Sequence, residues 1–217
     1  MESKKNIFTR FLPFYGWMSV IVSLAVNMVA FQATRLINRG WHHYDLSLPI
    51  DYIIPLVKWF IIIYIPVAYG QWIYGFYLAA RERKPICYHF FTAEIVAKLL
   101  CLVCFLIIPT TMVRQDMVDT DFLSRWIQWV YNTDAADNLF PSIHCLESYV
   151  LLRECFRMER CPKWFKWINI PVTLLVFAST LFLRQHVFVD IIGAIVVVEI
   201  GIFVANRLHF SSETRKV

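Results

Sequence analysis

RQHVFVD, residues 184–190, leads into an apolar run that continues to Leu208. The run is long enough to cross a bilayer as a helix, so a cation, a histidine and a carboxylate stand at the mouth of a membrane segment. His186 and Asp190 are four residues apart and therefore share one face of a helix. Ionisable groups in such a position cost free energy and are usually functional. The alternative interpretation is a histidine at the membrane interface beside a snorkelling arginine, neither of which has a functional role.

The composition is that of an integral membrane protein. Of the 217 residues, 59% are hydrophobic and only 17% are charged, and the mean hydropathy is +0.54. Soluble domains of this length carry more charge and shorter apolar runs. Nearly the whole chain is needed to build the membrane part, so residues 1–217 are predicted to form a single integral membrane domain. The net charge of +5 comes from basic residues between apolar runs, which indicates contacts with membrane lipids and no nucleic acid partner.

Six apolar runs predict an all-α, polytopic membrane bundle with six transmembrane helices. The fourth run is the least apolar and should be shielded from lipid by its neighbours. A further segment, Asp119 to Thr133, has the pattern of a short amphipathic helix that lies on the membrane in an outer loop. The six runs cover about residues 14–37, 55–80, 88–108, 142–156, 165–183 and 187–208.

The basic residues predict the orientation of these spans. With six crossings, both termini and the loops at Arg81 and Arg157 fall on one side and hold most of the lysines and arginines. That side is predicted to be cytoplasmic. Arg114, His144 and His186 then lie together at the extracytoplasmic face.

No metal or cofactor is predicted. The six cysteines are spread over apolar runs and basic loops, which is not the pattern of a disulfide framework. The aspartates between the third and fourth runs lack the regular spacing of a calcium loop and are predicted to be solvated. They are Asp116, Asp119, Asp121, Asp134 and Asp137.

Two motifs carry a resemblance to a known family. NLFPSIH, residues 138–144, resembles the Pro-Ser-x-His motif of the type-2 phosphatidic acid phosphatase superfamily. STLFLRQHVFVD, residues 179–190, resembles its third motif, which ends in His-x-x-x-Asp. The resemblance covers roughly residues 55–210, and the order of the motifs and the six spans match as well. It implies a phosphatase or phosphotransferase that acts on lipid phosphates.

The sequence departs from this family at two cations. In the family's first motif a lysine precedes the arginine by seven residues and proline follows it, whereas here Ile107 stands seven before Arg114 and no proline follows. The usual arginine after Ser179 is also missing. The sequence resembles a branch that includes bacterial members and the related sphingolipid phosphotransferases, which share the two histidines and the aspartate but relax the arginines. Arg114 and Arg184 are predicted to bind phosphate, Arg184 by its position alone.

The remaining residues form a coherent phosphoryl-transfer site. Ser142 opens a helix whose N-terminus, with the serine hydroxyl, can receive an anion. His186 can attack phosphorus through one ring nitrogen if the other donates to Asp190, which fixes the tautomer. His144 can protonate the leaving oxygen and then activate the water or alcohol that releases the phosphohistidine. This chemistry requires no metal.

The sequence thus predicts a metal-independent lipid phosphate phosphatase that hydrolyses a phosphomonoester or diphosphate at the extracytoplasmic face. A phosphotransferase that passes a phospho-headgroup to a lipid alcohol is the first alternative, since it differs only in the acceptor. A non-catalytic anion or lipid transporter is the second. The His-x-x-x-Asp pair argues against it, because a binding site needs charge but no oriented imidazole.

Overall fold

The computed structural model describes residues 11–114, 117 and 121–213. The basic amino-terminal segment and the last four residues, both used for the predicted orientation, lie outside the described residues. Two short strands pair in parallel, β1 (Tyr44–Asp45) with β2 (Thr110–Thr111). In chain order the helices are α1 (Phe14–Ile37), α2 (Pro49–Ile53), α3 (Phe60–Arg81), α4 (Lys84–Ile107), α5 (Phe122–Thr133), α6 (Ile143–Cys155), α7 (Lys163–Phe182) and α8 (Phe188–Glu213).

Within the described residues, five helices are long and apolar enough to cross a membrane, namely α1, α3, α4, α7 and α8. The chain is therefore a multi-pass, all-α membrane protein. The predicted fourth span is α6, which has only 13 residues. At 1.5 Å per residue it measures about 20 Å, which is short of the roughly 30 Å of a bilayer core. Six crossings stay a prediction.

Helix α6 lies in the middle of the bundle, where α3, α4, α7 and α8 all contact it. Most of its polar side chains are buried, and several find partners on those neighbours. The Trp72 indole on α3 donates to the Ser148 hydroxyl at 2.8 Å, and the His89 ring on α4 lies 2.9 Å from the Glu154 carboxylate. Because a polar helix cannot face lipid without such partners, its position in the bundle follows from its composition.

The amphipathic segment forms α5, which begins at Phe122. Asp121 caps it, since its carboxylate accepts hydrogen bonds from the backbone N–H groups of Leu123 and Ser124. Ile127 is buried on its inner face. The first predicted residue, Asp119, lies outside the described residues, and the location of α5 at the outer face of the membrane stays a prediction.

The most extensive helix contact joins α4 and α8. Gly201 on α8 makes it possible, because a Cβ atom there would overlap the backbone carbonyl of Ala93 on α4. Small residues let helix backbones approach closely. Such close packing stabilises helix pairs in a membrane, where the hydrophobic effect does not drive helices together. This contact holds α8, and thus the residues at its N-terminus, against the bundle.

We expect Gly201→Ala to lower the thermal unfolding midpoint of the detergent-solubilised protein by on the order of 5 °C, since overpacking costs about 1–3 kcal/mol. Gly70→Ala is the matched control, because a Cβ there meets nothing within 4 Å. Fluorescence-detected size exclusion after heating measures both midpoints. Equal midpoints for the two variants would contradict the close α4–α8 contact.

Candidate active site

His186 lies in the tight turn between α7 and α8. The α7 helix ends at Phe182, and Arg184 then adopts a left-handed conformation with φ of 51°. The backbone N–H groups of Gln185 and His186 both donate to the carbonyl of Thr180, at 2.9 and 3.2 Å. The turn is therefore closed by backbone hydrogen bonds, and it fixes the position from which the His186 ring leaves the chain.

Asp190 orients that ring. Its Oδ2 atom lies 3.1 Å from His186 Nδ1 and accepts a hydrogen bond from the backbone N–H of Val187 at 3.0 Å. The bond from Val187 is one of the two hydrogen bonds of a capping box, the one that an acidic side chain in the first helical turn accepts. With Nδ1 held by the carboxylate, the proton is fixed on that nitrogen and the lone pair of Nε2 is free to react. The contact expected from the four-residue spacing is present.

Ser142 and His144 stand at the N-terminus of α6. The Ser142 hydroxyl accepts a hydrogen bond from the backbone N–H of Cys145 at 3.3 Å and so caps the helix. The backbone N–H of Ser142 donates to the carbonyl of Asp190 at 3.2 Å. This bond ties the start of α6 to the start of α8, so the residues of the two sequence motifs, 46 positions apart at His144 and Asp190 (190 − 144), meet at one point.

The two histidine rings face each other across a cavity of about 660 Å³. Their centroids lie 6.2 Å apart, with the ring planes inclined by 54°. Both side chains line the cavity. At this separation both rings can contact the same bound group.

Aromatic side chains of α3 enclose His144, and sequence reasoning missed them. The Tyr64 ring stacks on the imidazole at 4.4 Å with an angle of 17°, and the Trp72 and Tyr69 rings lie 5.2 and 6.4 Å away. Tyr64 and Tyr69 are five residues apart, which does not place them on one face of a regular α-helix. The wider π-helical turn at Ile63–Val67 accounts for their common face.

Arg114 braces the turn that carries His186. Its guanidinium donates to the carbonyl of Arg184 at 3.2 Å, to the carbonyl of Asp134 at 2.5 Å and to the side chain of Gln185 at 2.8 Å. Burial lowers the pKa of this guanidinium below its ordinary value, while the nearby Asp134 opposes the shift. The charge lies beside Gln185, the residue before His186, and its three hydrogen bonds are to protein groups.

Arg184 points to a different part of the chain. Its guanidinium donates to the carbonyls of Asp51 and Ile54, at 2.5 and 2.6 Å, in the segment around α2. The Asp51 carboxylate in turn accepts from the backbone N–H of Phe188 at 2.8 Å. Among the described residues that line the cavity, neither Arg114 nor Arg184 appears. The structure thus groups His144, His186, Asp190 and Ser142, sets Arg114 beside them, and turns Arg184 away.

The expectation of solvated aspartates is wrong for Asp134 and Asp137, which are partly buried and line the cavity. Burial raises the pKa of the Asp134 carboxyl above its ordinary value, and His186 and Arg114 oppose the rise. Asp137 pairs with Arg35 at 3.0 Å. The loop between α5 and α6 brings both carboxylates to the cavity, and their spacing in sequence gave no sign of it. Asp116 and Asp119 lie outside the described residues.

Within the part of the chain that the structure describes, no three His, Cys, Asp or Glu side chains are grouped in a way that could hold a metal ion. All six cysteines lie in that part and are free thiols. The predicted independence of metal stays a prediction, since it concerns the reaction.

Comparison with known protein families finds one match. A family model of the PAP2 superfamily, the type-2 phosphatidic acid phosphatases, matches residues 50–204. The match includes both histidines, Asp190, Ser142 and the two arginines. Neither the curated proteins nor the solved structures give a match. Because the matched residues make up well over half of the chain, the protein belongs to the PAP2 superfamily.

Proposed function

We propose that this protein is a membrane lipid phosphatase that hydrolyses a lipid phosphomonoester or diphosphate through a phosphohistidine on His186. Membership of the superfamily supports a phosphatase-type activity. The observation that carries the finer proposal is the His186–Asp190 pair, which faces His144 across the cavity at 6.2 Å between ring centroids. An anion-binding site alone would need neither an oriented imidazole nor a second histidine opposite it.

The first step is attack by Nε2 of His186 on phosphorus. A nitrogen–phosphorus bond forms and the bond from phosphorus to the leaving oxygen breaks. The imidazole gains positive charge as it reacts, and the Asp190 carboxylate at 3.1 Å stabilises that charge. His144 gives a proton to the leaving oxygen, so the lipid departs as an alcohol.

The second step returns the enzyme to its starting state. His144, now neutral, takes a proton from water, whose oxygen attacks phosphorus while the bond to His186 breaks. Inorganic phosphate leaves. The N-terminus of the 13-residue α6 points to the same place, and its dipole favours the negative oxygens of phosphate. If a lipid alcohol replaces water, the same site transfers the phosphoryl group instead.

The cavity supports a lipid substrate. From the histidines it continues between α1 and α3, where Leu24 and Ile73 line it. These two residues are also 62% and 72% exposed. The cavity therefore borders the surface that contacts lipid, and an acyl chain can extend from it into the bilayer. With both termini cytoplasmic, the histidines face the extracytoplasmic side.

We expect the purified protein to release inorganic phosphate from a panel of lipid phosphates in detergent with EDTA present, and His186→Ala to release none.

In sealed right-side-out vesicles, short-chain substrates added outside should be hydrolysed at the rate seen after detergent permeabilisation. Added long-chain alcohol that suppresses phosphate release and yields a new phospholipid would assign the phosphotransferase alternative. Activity that EDTA abolishes and magnesium restores would contradict the proposal.

Asp190→Asn should lower kcat by roughly 10²- to 10⁴-fold, because the imidazolium loses its anionic partner. The matched control is Asp51→Asn. Both carboxylates accept a backbone N–H at the start of α8, but only Asp190 also contacts the His186 ring. A similar loss of kcat in both variants would reduce Asp190 to a helix cap.

Alanine substitutions of Arg114 and Arg184 should differ in their effects on KM and on thermal stability. Arg114 bonds to Gln185, next to the nucleophile, so we expect Arg114→Ala to raise KM at least about tenfold through loss of a charge near phosphate. The bonds of Arg184 to loop carbonyls favour a clamp on the α2 segment, so Arg184→Ala should lower the thermal midpoint and leave KM within about twofold. A large KM effect at Arg184 with unchanged stability would restore its predicted contact with phosphate.

A further inference from the structure

A second polar cluster lies in the same cavity, one helical turn from His144. Glu147 on α6 and Lys98 on α4 both line the cavity, and the ammonium lies 2.7 Å from Glu147 Oε1. Lys98 also pairs with Glu94 on its own helix and donates to the Ser23 hydroxyl of α1 at 3.3 Å. The phosphatase chemistry proposed above uses none of these residues.

The cluster holds more acidic than basic groups. Two carboxyl groups, Glu94 and Glu147, lie beside the single ammonium of Lys98. Buried charges inside a membrane protein are expensive unless they are paired. Lys98 pairs with both carboxyl groups, but of the two only Glu147 is among the described residues that line the cavity, so Glu147 is the acidic group that a bound molecule can contact.

Three oxygen atoms in this region accept no hydrogen bond from the described residues, and one of them is Oε2 of Glu94. The other two are Oε2 of Glu147, a residue that is only 7% exposed, and Oδ1 of Asn27 on α1. Both residues line the cavity. A buried acceptor without a donor costs free energy. A bound molecule that donates hydrogen bonds would remove that cost at both atoms.

The walls around the cluster suit the same kind of group. Trp72 and Phe76 of α3 line the cavity beside it, and the Lys98 ammonium already lies 5.9 Å over the Phe76 ring. Aromatic faces together with an excess carboxylate attract an ammonium or a polarised hydroxyl. They offer no site for a second anion, so the cluster is not an extension of the phosphate site.

We propose that Glu147 and Asn27 bind a hydrogen-bond-donating group, a hydroxyl or an amine, that the lipid carries close to its phosphate ester. This inference rests on the proposed function, because it takes the leaving oxygen to lie at His144. Residues three apart on a helix have Cβ atoms roughly 5–6 Å apart. The donor therefore belongs on the carbon next to the one that bears the phosphate, or one carbon further. The substrate class is a lipid phosphate with a free hydroxyl or amine at that position.

The test compares three single-chain phosphates of equal length. They are a lysophosphatidate with its 2-hydroxyl, the 2-deoxy analogue, and the analogue with a 2-amino group. We expect wild-type kcat/KM to be about tenfold or more higher for the hydroxyl or amino lipid than for the deoxy lipid, and Glu147→Gln to abolish most of that preference. The hydroxyl and amino lipids together identify which donor the site prefers.

Glu94→Gln is the matched control. It removes an acidic group from the same cluster and leaves Lys98 with one carboxyl partner, but Glu94 is not among the described residues that line the cavity. It should keep the preference for donor-bearing lipids. Asn27→Leu should reduce that preference without any change of charge. Equal effects of both glutamine variants on all three lipids, or no preference in the wild type, would overturn the inference.

Ligand-induced thermal shifts with the same three lipids separate this inference from the proposed function. Shifts that need the 2-substituent and Glu147 would sustain the binding site even if no phosphate were released. Hydrolysis of all three lipids with equal shifts would leave the phosphatase proposal intact and reject the binding site.

Discussion

The Asp190 carboxyl group and its neighbouring carbonyl are the point on which the site depends. One side-chain oxygen holds the His186 ring at 3.1 Å and the first backbone N–H of the α8 start at 3.0 Å, and the backbone carbonyl receives the N–H of Ser142. Asp190 thus orients the nucleophile, caps the start of α8 and anchors the start of α6, the helix that carries His144. In a bundle with little water to satisfy polar groups, such sharing lets one carboxylate oxygen satisfy two donors.

The fold keeps the polar residues of α6 inside the bundle. Helix α6 is too short to be a self-sufficient span, and its polar residues require partners on α3, α4, α7 and α8. That enclosure creates a cavity with histidines at one level and the Lys98–Glu147 pair one turn along. The apolar remainder of the cavity follows α1 and α3 to the exposed side chains of Leu24 and Ile73, which supports the proposed lipid substrate.

The sequence motifs were sufficient for the superfamily and for the meeting of His144, His186 and Asp190, because short spacings and helix starts are local features. The helix bounds also followed closely from apolar runs, except that α6 is a central 13-residue helix and only five candidate spans are found in the described residues. Other features needed three dimensions. The stacking of Tyr64 depends on a π-helical turn, the partners of Arg184 lie more than a hundred residues away, and Asp134 enters the cavity only when its loop folds over.

The measurement that tests this account most directly is the trapping of an acid-labile phosphohistidine, located by mass spectrometry after a rapid quench. An aryl phosphate is the best substrate, since its leaving group needs little protonation. The account predicts phosphate on His186, and more of it in His144→Ala, where attack proceeds but water lacks its base. Phosphate on His144, or turnover by the wild type with neither ring phosphorylated, would contradict it.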